Sequence, residues 1–165
     1  MIKTETLNGR PQAPDSRKFW DLICENTTAA HPYLVFLGLR RFDTPSLLER
    51  LKSGLSFASF NRLRQNIKLS QEELGALMQI SPRTLARRRT QKRLETDESD
   101  RLVRLSRVFG KTVELFEGHD DSARAWLARP LPGLGGQRPL DLLDSEVGAR
   151  EVEALIERLE HGVFT

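Results

Sequence analysis

"SQEELGALMQISPRTLARRRTQKRL", residues 70–94, decides how this chain is read. Ser70 is a helix N-cap, and Glu73 completes a capping box three residues on. Leu74, Leu77 and Met78 then give a short apolar face through about residue 79. "IS" breaks the pattern. Ser81 caps again, and Pro82 occupies the first helical position, where its missing N–H costs nothing. From Ser81 to Leu94 there are six basic residues and no acidic one. Two short helices joined by a tight turn, the second strongly basic, describe a helix-turn-helix that binds DNA.

Side-chain roles follow from 100° of rotation per residue. Leu85 and Ile80 face inward with Leu74 and Leu77, and Arg83 and Arg87 lie within about 20° of the opposite direction. Thr84 and Arg88 flank them on one edge and Ala86 on the other. Gly75 falls where the helices must approach most closely. Arg83 or Arg87 suits guanine O6 and N7, a bidentate pair worth about 1–3 kcal/mol of discrimination. Gln71, Ser81 and the first backbone amides suit phosphates. Arg88, Arg89, Lys92 and Arg93 suit neutralisation of backbone charge. Gln79 stands at a turn position that often carries glycine, because a left-handed backbone is less comfortable for Gln. A basic run on a helix is also read as a solvated face. The absence of acids and the capped helix before the run favour DNA.

The bulk numbers frame this. The 165 residues are 38% hydrophobic and 30% charged, with a formal charge of +3. The excess is small, so its placement matters more than its size. One cysteine, Cys24, excludes an intrachain disulfide and a multi-cysteine zinc site, and is expected as a buried thiol in a reducing compartment. The longest apolar run, "YLVFLGL" (residues 33–39), is far short of the roughly 18 residues that span a bilayer. No membrane association and no secretory signal are expected, so the chain is expected in the cytoplasm.

Outward from the opening stretch, every clear element is helical. Residues 1–14 read as an arm. Asp15 or Ser16 starts a short helix carrying Phe19, Trp20 and Ile23. The run around "YLVFLGL" fits either a buried strand or a helix turn. "TPSLLERLKSG" has Thr44 as N-cap, Pro45 at the first position and Gly54 past the end. A helix follows over about residues 57–67. "TDESD" places acids at the positive end of another helix, along which Leu102, Leu105, Phe109, Val113 and Phe116 recur. A short helix over residues 121–129 is stopped by Pro130, "PGLGGQRP" is a loop, and a final helix spans about residues 146–160. The class is all-α. The expected divisions are an N-terminal arm and short helix over 1–41, a DNA-binding core over 42–112, and a smaller helical unit over 113–165.

"LSQEELGALMQISPRTLARRR", then "RLETDESDRLVRLSRVFG" and "ARAWLARPLPGLGGQRPLDLLDSEVGAREVEALIERLEHG", resembles the Xre/MbcA/ParS-like antitoxins of RES–Xre toxin–antitoxin pairs. The resemblance covers about residues 45–165. Its carriers in the tail are Trp126, Leu127, Pro130, Leu134, Gly135, Gly136, Pro139, Leu140, Leu143, Gly148, Leu159, Glu160 and Gly162. It implies a dimeric repressor of its own operon, without enzymatic activity. It also implies a C-terminal helical domain that binds a RES-fold, NAD-degrading toxin and covers its active-site cleft. On that basis Trp126, Leu127, Leu134, Leu140, Leu143 and Glu160 are expected to bind the toxin, together with Val163 and Phe164 beyond the last helix. For the leucines and the tryptophan, ordinary core packing is the competing reading.

No other constellation points to chemistry. His31, His119 and His161 lack ligand spacing, and "GLGG" lacks the lysine of a phosphate loop. No catalytic residue, cofactor or metal is expected. Two further functions stay open. One is a stand-alone helix-turn-helix regulator whose C-terminal part dimerises or senses a ligand. The other is a helical adaptor.

Overall fold

The computed structural model describes residues 14–25 and 29–162. Nine α-helices form among them. They are α1 (Pro14–Cys24), α2 (Thr44–Ser53), α3 (Phe57–Ile67), α4 (Gln71–Leu77), α5 (Pro82–Gln91), α6 (Thr96–Leu115), α7 (Asp120–Ala128), α8 (Pro139–Leu142) and α9 (Glu146–Glu160). No strand forms among the described residues, and two isolated bridges, Ser56 to Arg93 and Leu131 to Gln137, are the only β-like pairings there. The all-α class therefore holds.

The apolar run that sequence left open is neither strand nor α-helix. Pro32–Leu37 forms a 3-10 helix whose Leu34, Val35, Phe36 and Leu37 are all buried. A segment enclosed on every side needs no polar face, so it carries no period to read. It packs on α1, α3 and α6. Phe36 stands between Phe19 of α1 at 5.0 Å and Phe109 of α6 at 4.9 Å, centroid to centroid. α1 is also tied down by charge: Asp15 accepts from Arg62 Nη2 at 2.6 Å and from Asn66 Nδ2 at 2.9 Å. Burial alone would raise the Asp15 carboxyl, but the hydrogen bonds from Arg62 and Asn66 win and hold it below its usual value. Cys24 is exposed rather than buried.

α2 starts one residue earlier than expected. Asp43 is its N-cap, accepting from the Ser46 amide at 2.9 Å. The Thr44 hydroxyl is instead paired with His31 Nε2 at 2.9 Å.

α6 is the axis of the molecule. Its 20 residues touch α1, α2, α3, α7, α9 and the 3-10 helix. Leu102, Leu105, Val108, Phe109 and Val113 are buried along it, and Ser106 and Thr112 return their buried hydroxyls to the backbone carbonyls of Val103 and Val108. A ladder of ion pairs joins α6 to α9. Arg107 meets Glu153 at 2.7 Å, Arg104 meets Glu146 at 3.4 Å, and Lys111 meets Glu157 at 3.3 Å.

Candidate nucleic-acid and partner interfaces

The helix-turn-helix is built by local rules. In α4, Ser70 Oγ accepts from the Glu73 amide at 3.1 Å while Glu73 Oε2 accepts from the Ser70 amide at 2.7 Å. This is the reciprocal capping box. The chain then turns through Gln79, whose φ is +55°. Its amide donates to Ala76 O and that of Ile80 to Gly75 O, both at 2.9 Å, which closes the helix end. Ser81 restarts the chain by accepting from the Thr84 amide at 3.2 Å. Gly75 is where α4 meets α5: a Cβ there would lie 3.2 Å from Leu85 Cδ2.

α5 has a sharply divided surface. Leu85 is buried, while Arg83 and Arg87 are exposed and make no ion pair with a carboxylate among the described residues. Thr84 is half-buried, its hydroxyl accepting from Ser81 Oγ at 3.0 Å. Arg89 is exposed and donates through Nη2 to Gln71 Oε1, linking the start of α4 to the last turn of α5. Thr90 is exposed on the same outward face as Arg83 and Arg87, about 20° from Arg83 by helical rotation. The seven-residue spacing from Arg83 was the available signal for it.

Arg88 departs from expectation. It is only 7% exposed. Its Nε bonds Glu98 at 2.8 Å, and its Nη1 reaches Glu95 at 2.9 Å and Gln91 Oε1 at 3.0 Å. Its charge is therefore committed to the start of α6, and it does not face a phosphate. Arg93 is exposed but anchored, donating to Ser53 O at 2.7 Å.

The C-terminal unit needs a second correction. Trp126, Leu127 and Leu143, expected to face a partner, are buried in the chain's own core. α7 closes on α6, with Trp126 beside Phe116 at 6.4 Å between centroids, so these side chains hold the unit together. Leu134 and Leu140 are half-buried, as are Leu142, Leu155 and Leu159 around them. Glu160 is exposed. Val163 and Phe164 lie outside the described residues. Val147, at the start of α9, is 74% exposed, an apolar surface residue that sequence periodicity did not single out. Gly148 is required by packing: a Cβ there would lie 2.0 Å from Leu142 O.

The two units touch. Gln79 Nε2 donates to Asp144 O at 3.1 Å, from the turn of the helix-turn-helix to the junction of α8 and α9. Arg101 Nη1 donates to Met78 O at 3.0 Å, bracing the same turn from α6. Among the described residues no cluster of His, Cys, Asp or Glu has the geometry to hold a metal, and no helix is long and apolar enough to cross a membrane.

Fold and surfaces together define a helix-turn-helix protein with a second helical unit packed against its turn. Residues 46–107 match the antitoxin Xre-like helix-turn-helix domain, and residues 111–162 match the antitoxin Xre/MbcA/ParS C-terminal toxin-binding domain. An antitoxin Xre of Yersinia enterocolitica is 38% identical over 130 residues, covering 78% of this chain and 88% of that one. An antitoxin Xre of Photorhabdus laumondii is 33% identical over 137 residues, covering 82% and 93%. A protein of a Sphingobium species named "Prs ADP-ribosylating antitoxin" is 25% identical over 142 residues, covering 81% and 89%. The chain belongs to the Xre family of antitoxins.

Proposed function

We propose that this chain neutralises a RES-fold toxin that degrades NAD, and that it represses its own operon by binding DNA through α5. It acts as a binding protein in the cytoplasm, with no reaction of its own and no cofactor. The C-terminal unit, residues 113–165, covers the toxin's active-site cleft. Residues 42–112 bind DNA, and α1 and the 3-10 helix pack against that core. The chain works as a homodimer, presenting two copies of α5 to half-sites about 34 Å apart, one turn of DNA.

The observation that carries the DNA role is the pair Arg83 and Arg87. Both stand exposed and uncommitted on the outward face of a capped helix whose inward face is closed by Leu85 and Arg88. Guanidinium forks in that setting suit guanine edges. Gln71, Ser81, Thr84 and Arg89 surround them at positions suited to phosphates. The toxin role is carried by the match over residues 111–162. The toxin-binding residues among the described ones are Leu134 and Leu140, half-buried, and Glu160, exposed, and Val163 and Phe164 complete the proposed set.

Co-expression with the product of the adjacent gene tests the toxin role. Rescue of growth, recovery of cellular NAD and co-purification are the expected outcome. Failure of all three, with DNA binding intact, instead supports a stand-alone regulator. Binding to the DNA upstream of the coding sequence tests the other role. Wild type and the Arg83→Ala/Arg87→Ala double variant binding alike would remove the recognition assignment.

A further inference from the structure

Cations outside the recognition helix gather around the C-terminal end of α2. Arg41, Arg50, Lys52 and Arg93 are all exposed. They line two open clefts that meet at Ser53, around the C-terminal end of α2. Lys52 and Arg93 border the cleft shared with the end of α5, and Arg41 and Arg50 border the next one along. The carboxylates nearby are partly taken. Glu95 is paired with Arg88 at 2.9 Å, and Asp43, beside Arg41, caps α2 through the Ser46 amide. Glu49 is the remaining acid in the lining.

This patch is fixed relative to α5. The Phe57 amide donates to Lys92 O at 3.0 Å, the Leu94 amide donates to Leu55 O at 2.8 Å, and Arg93 reaches Ser53 O. The end of α2 is therefore stitched to the end of α5. The patch therefore adjoins the C-terminal end of the helix that presents Arg83 and Arg87.

We propose that the patch around the end of α2 binds phosphates of duplex DNA beyond those reached by α4 and α5. This rests on the DNA-binding role proposed above and extends its footprint. The contacts are to the backbone only. They set affinity and orientation and carry no base information. Continuity with the recognition helix, the excess of cations and the rigid link between the two helix ends favour a nucleic acid over another occupant.

The test uses the full chain and two duplexes of equal length, one from the region upstream of its coding sequence and one scrambled. Each phosphate contact contributes about 0.9 to the slope of log affinity against log salt. The Arg41→Ala/Arg50→Ala/Lys52→Ala variant is expected to lose about two to three units of slope per protomer, about five for the homodimer, on both duplexes. The ratio of its two affinities should stay at the wild-type value, and hydroxyl-radical protection should change in the same way at both half-sites. Arg41→Lys/Arg50→Lys should keep the slope. If the triple variant does not melt like wild type, Arg50→Glu and Lys52→Glu are read singly, each with the same direction expected. An unchanged slope overturns the proposal. An unchanged slope with an altered oligomeric mass assigns the patch to contacts between copies, which also overturns it. Wild type binding neither duplex removes the DNA role itself, a different failure from an unchanged slope.

Discussion

Arg83, Arg87 and Arg88 are near neighbours on α5 with opposite fates. The first two face outward, while the third is enclosed with Glu98, itself a buried acid. Removing one partner of a buried pair leaves the other charge uncompensated, which costs about 3 kcal/mol. Arg88→Ala should therefore lower the melting temperature and leave the salt dependence of DNA binding unchanged. Arg83→Ala should do the reverse: melting as wild type, with about 1–3 kcal/mol less discrimination between sequences. Thermal melts and titrations on matched and mismatched duplexes separate the two. Helical rotation was enough to place Arg83 and Arg87. It was not enough for Arg88, which sits at the flank of the helix, because its direction is decided by Glu95 and Glu98 of another element. Asp15 supplies a pH dependence. Its carboxyl is held below the usual value in the folded state. Its contribution is therefore fully present above the unfolded value of about 3.9 and is lost as pH falls through the lower folded value. Asp15→Asn should flatten the acid limb of the stability curve, measured by urea denaturation from neutral pH downward.

At the scale of the elements, the caps were the most legible feature. Ser70 with Glu73, and Ser81 with Pro82, announce α4 and α5 through local hydrogen bonds that need no tertiary context. The 3-10 helix was illegible for the opposite reason, since its burial comes from α1, α3 and α6. Gln79 lies between these cases. Its left-handed backbone follows from the short turn, but its bond to Asp144 depends on a unit 65 residues away. Gln79→Gly should ease a left-handed cost of about 1 kcal/mol while deleting that bond. The melting temperature should not fall, and the amides at the start of α9 should exchange faster with solvent. Gly148→Ala should be more damaging. The new methyl would meet the Leu142 carbonyl, a backbone atom that cannot rotate away. The expected loss is about 3 kcal/mol, with toxin binding weakened more than DNA binding.

The whole molecule is organised around α6, which runs from the helix-turn-helix into the C-terminal unit. One helix serving both should make heat unfolding a single transition, with calorimetric and van't Hoff enthalpies that agree. Truncation after Gly110 should leave no stable remnant, because α6 would lose α7 and α9 while Arg104 and Arg107 lost Glu146 and Glu153. Circular dichroism of the truncated chain checks this. At this scale sequence conveyed the order of the longer helices but not which leucines face outward. Trp126, Leu127 and Leu143 look alike as candidates for a partner and for a core, and only the closing of α7 and α8 separates them. The bond from Gln79 to Asp144 and the ladder from α6 to α9 have a consequence for how such chains diverge. Exchanging C-terminal halves between relatives at the start of residue 111 would join an Arg104–Arg107 half-ladder to foreign partners and set an unfamiliar carbonyl over the turn. Hybrids made there should fail unless the donor also brings α6. Sequence change is therefore accommodated most readily on the outer face of α9, with the inner face inherited intact.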